Sequence, residues 1–283
     1  MSRSDIFVST GWLADQLGRD DIVVVDGSYY LSTMNRDAAA EFDAGHIPGA
    51  VRFDIDAVKD EASDLPHMLP GAEQFGRQAG AMGISEDMTI IVYDGAGLFS
   101  APRVRWTFRT FGARDVRILD GGFPKWQAEG RAIETGKQKP RGPRVFNAVF
   151  DGSAVASLGD VKAVLADKSA QVVDARPAGR FDGTAPEPRP NLPSGHMPGS
   201  TNLPFAALIE NGQLKDEASI LDAVMAAGID LNQPVITSCG SGVSAAILST
   251  ALEMVGKPPT ALYDGSWAEY GSQPDAHIRT VRE

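Results

Sequence analysis

Pro234-Val235-Ile236-Thr237-Ser238-Cys239-Gly240-Ser241-Gly242-Val243-Ser244-Ala245-Ala246 contains the only cysteine of the 283-residue chain. An apolar, β-branched run leads into Cys239, a glycine-rich turn follows, and a helical pattern extends from Ala245 to Val255. Strand, glycine turn and helix in that order are the building step of a parallel α/β sheet. A thiol at such a turn is faced by backbone N–H groups and by the positive end of the following helix. Both favour the thiolate, the nucleophilic form. Gly240 and Gly242 let the backbone curl so that its amides approach a bound group. Ser241 and Ser244 add hydroxyl donors. The loop of Gly240, Ser241, Gly242, Val243 and Ser244 is therefore expected to hold whatever Cys239 acts on.

The same stretch has a partner earlier in the chain. Ile90-Ile91-Val92-Tyr93-Asp94-Gly95-Ala96-Gly97 resembles the segment from Val235 to Gly242, with Asp94 opposite Cys239. Further matches occur in the same order. Ala44-Gly45-His46-Ile47-Pro48-Gly49-Ala50 resembles Ser194-Gly195-His196-Met197-Pro198-Gly199-Ser200, and Val23-Val24-Val25-Asp26 resembles Val172-Val173-Asp174. Leu119-Asp120-Gly121-Gly122-Phe123 resembles Tyr263-Asp264-Gly265-Ser266-Trp267. Ordered matches at a nearly constant offset predict a duplicated domain. The short apolar runs read as buried parallel strands, and helical patterns such as Arg103 to Phe111 lie between them. The expected fold is α/β: two tandem domains, each a parallel sheet with helices on both faces. Residues 136–150, polar, basic and rich in Pro and Gly at their start, read as a linker between a first domain at 1–135 and a second at 151–283.

Hydrophobic residues make up 43% of the chain, enough for a sizeable core, and the net charge of −11 argues against nucleic acid or an anionic membrane as partner. No run approaches the roughly 20 apolar residues of a membrane span, and the opening Met1-Ser2-Arg3-Ser4-Asp5-Ile6 has no signal-peptide pattern. A lone cysteine fits a reducing compartment, so a cytoplasmic location is expected. It also excludes an internal resolving thiol. Neither metal nor organic cofactor is expected, because there is no metal-like Cys/His cluster and no Gly-x-Gly-x-x-Gly opening a helix after a strand.

Two other uses of a cysteine fit poorly. A cysteine-dependent phosphatase needs an arginine six positions after the thiol to grip phosphate, and that position is Ala245. A cysteine protease needs a free histidine base, whereas His46 and His196 both lie in His-x-Pro-Gly turns. The second half also carries Arg180-Phe181-Asp182-Gly183-Thr184-Ala185-Pro186-Glu187-Pro188-Arg189 in a loop after a strand. Parallel sheets bind ligands at the carboxyl ends of their strands, where this loop and the Cys239 loop would both emerge.

Taken together, the repeat, the paired His-x-Pro-Gly motifs, the Cys-Gly-Ser-Gly-Val-Ser loop and Asp264-Gly265-Ser266-Trp267 resemble the rhodanese sulfurtransferases over nearly the whole chain. The resemblance implies two rhodanese-like domains with catalysis confined to the second. It implies sulfur transfer through a Cys239 persulfide to cyanide, a small thiol or thioredoxin. Within the family the chain is more similar to the branch that takes sulfur from 3-mercaptopyruvate and releases pyruvate than to the thiosulfate branch. The loop supports that subdivision: where the thiosulfate branch places cations, this chain has Gly240 and Ser241, and a monoanionic keto acid needs fewer cations than a dianion. A thiosulfate sulfurtransferase stands as the alternative within the family. A persulfide carrier or regulatory module without turnover stands as the alternative of another class.

By the same resemblance Arg180 and Arg189 bind the carboxylate of the keto acid, and a triad-like set falls on His46, Asp37 and Ser241. His67, in Pro66-His67-Met68-Leu69-Pro70, matches a family segment, but the sequence gives it no physical role. Arg176, Asp264 and Trp267 read as structural. Features shared by both halves serve the fold; features found only in the second half serve the chemistry.

Overall fold

Ile22–Asp26 (β2) and Thr89–Tyr93 (β4) are β-branched along most of their length and buried almost throughout. Such strands suit a parallel sheet covered on both faces. In the computed structural model, which describes residues 3–258 and 261–281, they pair in register from Ile22↔Thr89 to Asp26↔Tyr93. Phe7–Val8 (β1), Val51–Arg52 (β3) and Asp115–Leu119 (β5) complete a five-stranded sheet in the order β1-β5-β4-β2-β3, every pairing parallel.

The second half repeats this topology. Val155–Ala156 (β6), Gln171–Asp174 (β7), Thr201–Asn202 (β8), Val235–Ser238 (β11) and Ala261–Tyr263 (β12) pair in the order β6-β12-β11-β7-β8. This is the order of the first sheet, strand for strand. One hairpin, Ile209–Glu210 (β9) with Gln213–Leu214 (β10), has no counterpart in the first domain among the described residues. Ser238 lies beside Asp174 in the register of β11 and β7. The Cys239 loop and the arginine-bearing loop therefore leave the sheet side by side.

The two domains share one core. In the helix Val243–Met254, which follows the cysteine loop, every residue except Ser244 is buried. A helix that is buried all round is covered on every side. Here it packs against its own sheet and against the first domain's helix Ala101–Thr110, and a single apolar cluster runs from Phe75 and Phe108 to Val235 and Leu248. Across this interface Arg105 makes a two-pronged pair with Glu253 at 2.7 and 3.1 Å, and Arg109 adds a third bond at 2.6 Å. Removing one partner from a buried pair of this kind costs about 3–5 kcal/mol. An apolar interface stitched by buried ions holds the domains in fixed relation.

The stretch 136–150, read as a linker, runs along the first domain. Phe146 is buried against Phe75, edge to face at 5.3 Å. The Arg144 and Val149 amides donate to the carbonyls of Gly80 and Phe111. Phe150 adds a second ring contact, to Phe111 at 5.6 Å.

Candidate active site

Cys239 directly follows β11 and is 2% exposed. Two elements fix its loop. Gly242, at φ 75°, makes the left-handed turn into the helix Val243–Met254. From below, the short helix Ser266–Tyr270 reaches up: the amides of Trp267 and Ala268 donate to the carbonyls of Cys239 and Gly240, both at 2.9 Å. With these carbonyls turned down, the loop and the first turn of the helix present N–H groups that have no intrahelical partner.

The first domain shows what those amides hold. Asp94, fully buried, accepts hydrogen bonds from the backbone N–H groups of Ala96, Phe99, Ser100 and Ala101. The corresponding residues around Cys239 are Ser241, Ser244, Ala245 and Ala246. A cradle that takes a carboxylate in one copy suits an anionic sulfur in the other.

Both predicted arginines reach the loop. A Cβ on Gly240 would lie 2.8 Å from Arg180 Nη2 and 3.8 Å from Arg189 Nη1. Arg180 is oriented by Glu187, which accepts from its Nε at 3.1 Å and from its Nη2 as well. Glu187 also accepts from Arg176 Nη1 at 2.8 Å. Arg176 itself is fully buried against Asp174, with its guanidinium over Trp267 at 4.2 Å, so its place is structural. Arg189 Nη2 donates to Ser241 Oγ at 3.0 Å and lies 3.4 Å from His67 Nε2.

His67 comes from the first domain and is 4% exposed. Its Nδ1 lies 2.7 Å from Asp56 Oδ1. Burial pushes its pKa below the usual value despite the opposing Asp56 carboxylate, and Arg103 and Arg189 push the same way. The hydrogen bond from His67 holds Asp56 below the usual carboxylate range, against the effect of its partial burial. A neutral ring whose one N–H is on Nδ1, beside Asp56, leaves Nε2 as an acceptor facing Arg189. Tyr29 packs edge-on against His67 at 4.8 Å, and burial raises its phenol pKa.

Arg103, fully buried on the first domain's helix Ala101–Thr110, ties these parts together. Its Nη1 lies 2.6 Å from Asp264 Oδ1, and its Nη2 donates to the His67 carbonyl at 2.6 Å. The second oxygen of Asp264 accepts from the Leu69 amide at 2.8 Å. This anchorage holds His67 at φ 60°, a left-handed conformation unusual for a residue with a Cβ.

The set expected from resemblance, His46 and Asp37 with Ser241, does not assemble. His46 stacks on Phe42 at 3.9 Å, donates from Nδ1 to the Phe42 carbonyl at 2.8 Å, and bridges to Glu134. His196 does the same with Phe181 and Arg279. Both histidines lock a turn. Asp37 caps the helix Ala38–Ala44, accepting from the amides of Ala39 and Ala40. The first-domain histidine that does meet Arg189 is His67, with Asp56 on its other nitrogen. The sequence flagged His67 only as a family match, and it gave no sign of Asp56, which lies in an ordinary polar turn. Glu187, set between Pro186 and Pro188, was legible as part of a motif but not as the residue that orients Arg180.

A duplicated α/β unit with a cysteine at the strand-to-helix turn of one copy and an aspartate at the same turn of the other defines the class: a tandem α/β protein whose two domains are alike in topology and unlike in that one residue. The chain belongs to the rhodanese family, whose rhodanese-like domain matches residues 9–129 and 157–273. It is 41% identical over 278 residues to a 3-mercaptopyruvate sulfurtransferase of Escherichia coli K12, covering 98% of each chain. It is 40% identical over 280 residues to a thiosulfate sulfurtransferase of Cricetulus griseus, covering 96% of this chain and 94% of the relative. Among solved structures it is similar to the 3-mercaptopyruvate sulfurtransferase SseA of E. coli, with a TM-score of 0.85 and 40% identity over 92% of this chain and 98% of that one. Among the described residues no helix is long and apolar enough to cross a membrane.

Proposed function

We propose that the protein is a 3-mercaptopyruvate sulfurtransferase working through a Cys239 persulfide. The observation that carries this reading is the approach of two guanidinium groups to the uncharged Gly240, one residue from the sulfur. Arg180 and Arg189 receive the carboxylate of a keto acid and bring its thiol over Cys239. The Cys239 thiolate attacks the thiol sulfur, the carbon–sulfur bond breaks, and its electron pair leaves on carbon as the enolate of pyruvate. The sulfur stays on Cys239 as a persulfide. The persulfide proton passes to the enolate, giving pyruvate and a persulfide anion held by the loop amides. His67, neutral and oriented by Asp56, is placed to move that proton together with the Ser241 hydroxyl.

A second nucleophile then takes the outer sulfur: cyanide in an assay, and in a cell a small thiol or reduced thioredoxin. The single cysteine means that this thiol comes from another molecule, and a reducing cytoplasm is the compartment that would supply it. The cycle is covalent catalysis of ping-pong type.

The test is pyruvate release from 3-mercaptopyruvate against sulfite release from thiosulfate, with cyanide as acceptor in both. The expected kcat/KM ratio favours 3-mercaptopyruvate by roughly tenfold or more. A ratio of one or below would assign thiosulfate as the donor. Release of no more than one pyruvate per protein would make the chain a carrier.

A further inference from the structure

Ser266 lies beneath the sulfur loop, fully buried, at φ 50°. Its Oγ accepts from the backbone N–H of Cys239 at 3.2 Å and of Gly242 at 3.1 Å, and donates to the Tyr263 carbonyl at 2.8 Å. One hydroxyl therefore clamps both ends of the loop to the last residue of β12.

The first domain has no such clamp. The counterpart of Ser266 is Gly122, in the same left-handed region at φ 56°. The surroundings match: Phe123 N–H donates to the Asp94 carbonyl at 3.0 Å, as Trp267 N–H does to that of Cys239. There is no room for a side chain, because a Cβ on Gly122 would lie 2.6 Å from the Asp94 carbonyl oxygen and 2.7 Å from that of Gly97. That loop is held from within, since the Asp94 carboxylate gathers four of its amides. A cysteine whose sulfur must attack a substrate and carry a second sulfur cannot gather its own loop in this way.

We propose that Ser266 is a positioning residue for sulfur transfer, supplying from outside the loop the fastening that Asp94 supplies from inside the other one. By taking up the Cys239 and Gly242 amides, it leaves the remaining loop amides aimed at the sulfur. The role rests on Cys239 being the sulfur carrier. A left-handed backbone favours glycine, so a serine retained there for the fold alone could be replaced by the first domain's own residue without loss.

The test compares wild type with Ser266→Gly and Ser266→Ala in a single turnover with 3-mercaptopyruvate. The readouts are pyruvate release, the intact mass of the persulfide and Tm, with KM taken from the steady state. Ser266→Gly is expected to keep or raise Tm and to leave KM within about twofold, because neither arginine is touched, while the first-turnover rate falls by about tenfold or more. Ser266→Ala, which lacks only the oxygen, is expected to show the same loss of rate even where its Tm falls. A rate within twofold of wild type in either variant would overturn the proposal. Failure of wild type itself to gain a sulfur would instead overturn the sulfurtransferase reading of Cys239.

Discussion

At the end of β4, Asp94 satisfies four backbone amides at 2.7–2.9 Å and is sealed from solvent. At the end of β11, Cys239 occupies the same turn before the same kind of helix. The two loops differ in what fills the cradle. A carboxylate brings two oxygens that accept from the amides, and it stabilises its loop at the cost of any reactivity. A thiol brings one polarisable atom that can become an anion, form a bond and release it. The first domain thus displays the anion-binding capacity of the loop in its resting form, and the second puts that capacity to use. The domain with the carboxylate still reaches this site, because His67, flanked by Asp56 and Tyr29, meets Arg189, and Arg103 meets Asp264.

The severest test makes the two loops alike. Cys239→Ser and Cys239→Asp should both lower turnover by about 10³-fold or more, since neither oxygen can carry the sulfur. Cys239→Asp should also leave Tm at or above that of wild type, because the new carboxylate finds amides like those around Asp94. Retained turnover in either variant would remove Cys239 from the mechanism. A Cys239→Asp protein that unfolds would show that the two cradles are not equivalent.

A second contrast concerns arginines. Arg36 of the first domain pairs with Glu41 and donates to the Gly95 carbonyl at 3.0 Å, much as Arg180 pairs with Glu187 over Gly240. Arg180→Ala should raise KM for 3-mercaptopyruvate and lower kcat/KM by roughly 10²-fold, the scale of a charge-assisted contact worth about 3 kcal/mol. Arg36→Ala should leave kcat/KM within about twofold of wild type. Steady-state kinetics of the two variants side by side decide it: equal losses would mean that both pockets bind the donor, and no loss in either would place the carboxylate elsewhere.

Much of this was legible because the chain contains its own control. The repeat marked both sheets, and the exchange of Asp94 for Cys239 singled out the thiol. The approach of Arg180 and Arg189 to the Cys239 loop was foreshadowed by a local motif that holds both, although Arg180 lies in the short helix Ala178–Phe181 and not in a loop. What was not legible came from long range. His67 meets Arg189 across 122 residues of sequence, and Arg103 meets Asp264 across the domain interface. No periodicity records such pairings. His46 shows a related limit: a His-x-Pro-Gly turn has the same sequence whether its ring works or stacks, and in the structure His46 stacks on Phe42 just as His196 stacks on Phe181.

That last distinction carries the mildest of the tests. His67 differs from His46 and His196 in having a carboxylate on one nitrogen and Arg189 near the other. Burial holds its pKa below the usual 6.5, so the neutral, proton-accepting ring persists to lower pH than in a free histidine. The sign follows: above pH 6.5 both folded and unfolded chains carry a neutral His67, whereas below it the unfolded chain takes up the proton first, and its contribution to stability is progressively lost. The kcat/KM for 3-mercaptopyruvate should therefore hold as pH falls to 6.5 and decline only beneath it. His67→Gln should lower kcat/KM by about tenfold at pH 7 and abolish that acidic limb. His46→Gln should lower Tm and leave the limb in place, because its ring fastens a turn. If the limb survives in His67→Gln, the proton belongs to another group and His67 serves only to orient Arg189.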